Sequence, residues 1–81
     1  MASTQKQTYS AVTVLAWDFS HYTLNGVGVY KFTIQTIGDD VISGQTQGGI
    51  HQALRRDPKR LTNVTIAKTP SGRIRMIAAS N

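Results

Sequence analysis

Neither cysteine nor glutamate occurs in this sequence, tryptophan occurs once and proline twice. Without cysteine there is no disulfide and no thiolate metal site, which suits a reducing compartment. Without glutamate, and with Thr, Val and Ile abundant, the composition leans toward sheet. No apolar run approaches the ~18 residues that span a bilayer, and the N-terminal MASTQKQTYS lacks the apolar stretch of a secretion signal. The expected location is therefore cytoplasmic, with no membrane partner, and Asn63-Val64-Thr65 reads as the start of a strand rather than as a glycosylation site.

Acids are scarce as well. The only carboxylate side chains are those of Asp18, Asp39, Asp40 and Asp57, and the only imidazoles are those of His21 and His51. Catalysis needs a nucleophile with a base or a pair of acids. Ser43, His51 and Asp40, or a metal group of Asp39, Asp40 and His51, can be assembled on paper, but no spacing demands either. Adjacent Asp residues in a Gly-rich turn serve ordinarily to bond their own backbone. Gly26 and Gly28 fall inside a hairpin pattern rather than between strand and helix, and no Lys-Ser or Lys-Thr follows Gly44, Gly48 and Gly49, so no nucleotide-binding loop is read. A non-enzymatic protein without cofactor or metal is expected.

What is present is clustered positive charge. Of nine Lys and Arg residues, seven (Arg55, Arg56, Lys59, Arg60, Lys68, Arg73 and Arg75) lie in the 21 residues 55–75, where Asp57 is the single acid. Such a field speaks to partners more than to fold, because clustered charge attracts polyanions and otherwise repels itself. Arg outnumbers Lys five to two in this block. A planar guanidinium holds phosphate or carboxylate through two hydrogen bonds. Arg55 and Arg56 also have a structural use at a helix C-terminus, where each offsets the dipole by ~0.3 to 1 kcal/mol.

Periodicity supplies the elements. Tyr9 to Phe19 alternates with a period of two and is apolar on both faces, which predicts a strand covered on both sides near its middle. Asn25-Gly26 predicts a type I′ turn into a second strand over 27–36, with Tyr30, Phe32 and Ile34 on the core face. Turn-type residues dominate 37–49, read as a loop with a short extended piece. Thr46 is then taken to cap a helix with Ile50, Ala53 and Leu54 on one stripe, ended by Pro58. Asn63 to Lys68 and Arg73 to Ala78 flank Thr69-Pro70-Ser71-Gly72 as a second hairpin, with Val64, Ile66, Ile74 and Met76 inward.

These elements predict an α+β fold: two β-hairpins with a short intervening helix, β-β-α-β-β, the antiparallel sheet packed on the helix. Residues 1–8 form a tail and 9–79 the domain. At 81 residues the core is thin, and with no disulfide the expected support is a homodimer or a bound partner. The function expected is that of a small basic nucleic-acid-binding protein, contacting phosphates of DNA or RNA through the helix end and second hairpin. Tyr22, beside the turn, is the ring best placed to stack on a base, and Arg73 and Arg75, two apart on one strand, are the pair most strongly expected to contact phosphate. The alternative is a small phage-type regulator or inhibitor whose basic face docks on an acidic protein surface or competes for a nucleic-acid channel.

Overall fold

The apolar pattern from Tyr9 to Phe19 belongs to a single strand, β1 (Gln5–Tyr22), that changes its inward face part-way along. Val12 and Val14 are buried, whereas Leu15 is 50% exposed and Trp17 takes over the inner side. The register with β2 (Gly28–Thr36) explains the switch. Val14 pairs with Ile34 and Ala16 with Thr33, so Leu15 is an extra residue, a β-bulge; a second irregularity lies between Phe19 and His21. A bulge shifts the alternation by one residue. The two apolar faces read from the sequence are therefore one inner face displaced at Leu15, not a strand covered on both sides.

The computed structural model describes residues 4–80. After β2 come β3 (Val41–Gln47), a 3₁₀ turn at Gly48–Ile50, helix α1 (His51–Arg56), β4 (Arg60–Lys68) and β5 (Ile74–Ser80). The strands close into a barrel in the order β1-β2-β3-β5-β4, with β4 returning to pair with β1. All neighbours are antiparallel except β3 and β5, which run parallel and meet at Gln45 and Arg75. This corrects the predicted fold class: two hairpins and a helix are present, but a fifth strand, β3, turns the sheet into a closed mixed barrel, and α1, rather than backing an open sheet, connects β3 to β4 while its predicted stripe puts Ala53 and Leu54 into the barrel core with Ile50 against it. A five-stranded Greek-key barrel of this kind has the architecture of an OB-fold. Among the described residues, no helix is long and apolar enough to cross a membrane.

Ile34, Leu54, Leu61, Val64 and Met76 fill the barrel at 0–1% exposure, with Phe32 beside them. Burying each such side chain contributes about 1.5 to 3 kcal/mol. The predicted inward set of Val64, Ile66 and Met76 is buried, with Ile74 packed against it.

The β3–β5 seam depends on two small residues. A Cβ on Gly44 would lie 2.5 Å from the Ile74 carbonyl oxygen, so only glycine lets the two backbones approach. Thr46 is not a helix cap. It is 1% exposed within β3, and its hydroxyl donates to the Met76 carbonyl oxygen at 3.1 Å.

All three hairpin turns are built alike, as Thr23–Val27, Thr36–Asp40 and Thr69–Arg73. In each the threonine carbonyl accepts the N–H three residues on, and its N–H donates to the carbonyl four residues on. Its Oγ1 accepts the N–H of that fourth residue, at 3.1, 3.2 and 3.1 Å respectively. The residue in the left-handed region is Gly26, Asp39 or Gly72. Asn25 has no positive φ, so the first turn is a three-residue loop rather than type I′.

Candidate nucleic-acid interface

Directly paired residues in a sheet share a face, so the register gives the layout of the outer wall. Lys6 pairs with Ala67, Ala67 with Arg75, Arg75 with Gln45, Gln45 with Lys31, and Lys31 with Asp18. One row thus crosses all five strands and carries three cations and a single acid, at its end. Neighbouring strands lie about 4.8 Å apart, so Arg75 stands on the order of 10 Å from both Lys31 and Lys6. Of these four charged groups only Arg75 was singled out from the sequence. Lys31 sat legibly on the polar face of a predicted strand, but its alignment with Arg75 depends on β3.

Beside this row lies a groove of about 160 Å³ between the β1–β2 turn and β5. Thr23 and His21 form one wall, Arg73 and Arg75 the other, with Gln45, Gln47 and Val29 between. Val29 points outward by its pairing with His21 and Gln47 yet is only 5% exposed. It makes an apolar floor under polar walls. The irregularity between Phe19 and His21 is what puts His21 on this outer face, where its Nδ1 meets the Ser20 hydroxyl at 2.9 Å. No carboxylate lines the groove. Two guanidinium groups opposite an imidazole and two amides suit the oxygens of a phosphate and the edge of a sugar or base.

The remaining sequence candidates are dispersed. Arg55 and Arg56 are exposed in the last turn of α1, where they offset its dipole. The Lys59 and Arg60 N–H groups both donate to Asp57 Oδ1, at 3.0 and 3.2 Å, so this acid caps the entry to β4. Arg60 pairs with Thr13. It lies seven residues along β4 from Ala67, the partner of Arg75, roughly 23 Å away. Lys68 pairs with Ile74, on the side of the sheet opposite Arg73 and Arg75. The sequence block 55–75 is therefore at least two separate charge groups in space.

Tyr22 is 69% exposed, but its partner is Gly28 and its ring packs 4.8 Å from that of Phe19. It stands on the other face of the hairpin from His21, away from the arginine groove. Tyr30 stacks on His51 at 4.4 Å and 15°, and the His51 Nδ1–H donates to the Gly48 carbonyl. His51 thus secures α1 to the barrel. Asp40 bonds to Thr36, six residues along β2 from Tyr30, about 20 Å, so the paper sets of Ser43, Asp39 and Asp40 with His51 are not brought together. Among the described residues no three potential metal ligands cluster. A Cβ on Gly28 would meet the Tyr30 ring at 3.2 Å.

No family model, curated protein or solved structure matches the chain.

Proposed function

We propose that this protein is a small non-enzymatic nucleic-acid-binding module that holds a single strand of DNA or RNA across the outer wall of β2, β3 and β5. The observation that carries this reading is the row of Lys31, Gln45, Arg75 and Lys6 in register beside an acid-free groove containing Arg73. Arg75 and Arg73 bind phosphate, Lys31 and Lys6 extend the track, and Gln45, Gln47 and Thr23 meet sugars and bases. A single strand fits better than a duplex. The cations lie one or two strands apart across a sheet wall, a spacing that a flexible single strand can follow. Five-stranded barrels of this architecture use the strand 2–3 face between the β1–β2 and β4–β5 loops for oligonucleotides. That is support by fold-level analogy, and the charges and groove are the independent argument.

The test is fluorescence anisotropy of a labelled single-stranded oligonucleotide. Reversing both Arg73 and Arg75 to Glu is expected to reduce affinity at least a hundredfold, since each charge-assisted contact contributes about 1.5 to 3 kcal/mol. Reversing Arg55 and Arg56, at the far helix end, should cost less than about fivefold, through net charge alone. Equal losses in the two double variants would place the contact elsewhere. Failure of the wild type to bind any single strand, with retention of one acidic protein from nuclease-treated lysate, would favour the regulator reading instead.

A further inference from the structure

A second concavity lies on the inner side of the sheet, where β4, having left α1 at Arg60, ends at Lys68. Its volume is about 560 Å³, within the range of small-molecule sites. Pairing fixes its lining. Tyr9 faces with Val64, Gln7 with Ile66 and Gln5 with Lys68, while Ile66 faces with Met76 and Lys68 with Ile74. Val64 and Met76 are closed off in the core, whereas Tyr9, Ile42 and Ile74 are only half-buried, leaving apolar surface open to the cavity. Farther out, Gln5, Gln7 and Lys68 are exposed. Polarity therefore rises from floor to mouth over the four residues from Val64 to Lys68, on the order of 13 Å. Lys68 is the charged residue on the inner face of the lining; Lys6, which pairing puts on the outer row, reaches only its rim, and no carboxylate accompanies them.

We infer that this cavity binds a small amphipathic carboxylate. Its alkyl or aryl body lies against Tyr9, Ile42, Ile66 and Ile74. The carboxylate sits at the mouth, where the Lys68 ammonium and the amide N–H groups of Gln5 and Gln7 donate to it. Lys68 is exposed and hydrated, so a neutral apolar molecule gains from the floor alone and a free phosphate from the ammonium alone, whereas a molecule with both parts gains from both, the ion pair adding the modest amount of an exposed pair. The site is distinct from the arginine groove, because Ile74 points to the opposite side of the sheet from Arg73 and Arg75, so it stands whether or not the chain binds nucleic acid.

Decanoate is the probe, with decanol as its neutral counterpart, each titrated into the full chain while the methyl resonances of Ile42, Ile66 and Ile74 are followed by NMR. Decanoate is expected to give a saturable one-to-one shift confined to these methyls, and decanol to bind at least fivefold more weakly. Lys68→Gln, at an exposed position, should weaken decanoate by about fivefold, in line with an exposed ion pair, and leave decanol unchanged. Gln7→Trp, which folds a ring across the mouth, should weaken both. Absence of a saturable shift would overturn the inference. So would decanol binding as tightly as decanoate, or an unchanged decanoate affinity in Lys68→Gln with the spectrum otherwise intact.

Discussion

Thr23, Thr36 and Thr69 each open a hairpin by the same device, a side-chain oxygen that takes the N–H four residues on. The three sequences TLNGV, TIGDD and TPSGR differ in one telling place. Two put glycine in the left-handed position, and the third puts Asp39 there at φ 67°. A side chain in that region costs about 1 kcal/mol or more relative to glycine. Asp39→Gly is therefore expected to raise stability by about 0.5 to 1 kcal/mol in urea unfolding with an unchanged slope; destabilisation would mean that the Asp39 side chain does something the backbone does not show. Two of these turns were legible because Gly and Pro mark them. The third was hidden by Gly38, which draws the eye one residue early. A second expectation at this scale concerns Asp18, the acid that ends the cationic row opposite Lys31. Asp18→Asn removes repulsion of a phosphate near Lys31 and should tighten oligonucleotide binding by about two- to fivefold, an effect on the order of an exposed charge pair. Weaker binding would contradict the proposed path.

Among elements, β1, β2, β4 and β5 were readable and β3 was not, for a physical reason. A half-buried strand shows itself through apolar residues at every second position. In β3 the inward positions are Ile42, Gly44 and Thr46, where Gly44 admits the backbone of β5 and Thr46 bonds the Met76 carbonyl. The strand that closes the barrel thus lacks the pattern by which strands are recognised. The same residues looked like loop and helix cap when taken alone. Closure should accordingly be fragile at one atom. Gly44→Ala brings a methyl against the Ile74 carbonyl and is expected to cost about 3 kcal/mol, at the upper end of overpacking effects. Hydrogen exchange should show the loss first at β3 and β5, while the β1–β2 ladder persists longer. A cost below about 1 kcal/mol would mean that the seam has slack. Closure also consumes most of the strand edges available for self-assembly; β1 pairs with β4 only as far as Thr13 and continues with β2 alone to Tyr22.

For the whole molecule, the charge block that dominates the sequence is divided by the fold. Arg55 and Arg56 serve the end of α1, Lys68 turns to the inner cavity, and Arg73 and Arg75 join Lys31 and Lys6, two residues remote in sequence, on the outer wall. Composition led to the expectation of a polyanionic partner. It could not reveal the path, because the alignment of Lys6, Arg75 and Lys31 exists only once β3 pairs with β5. The most direct test of that path is the salt dependence of single-stranded oligonucleotide binding, measured for the wild type and for Lys31→Gln. Four phosphate contacts, by Lys6, Lys31, Arg73 and Arg75, correspond to a log–log slope of about −2.8, and losing one should reduce its magnitude by about 0.7. A slope near zero, or one that Lys31→Gln leaves unchanged, would contradict a polynucleotide lying along this row.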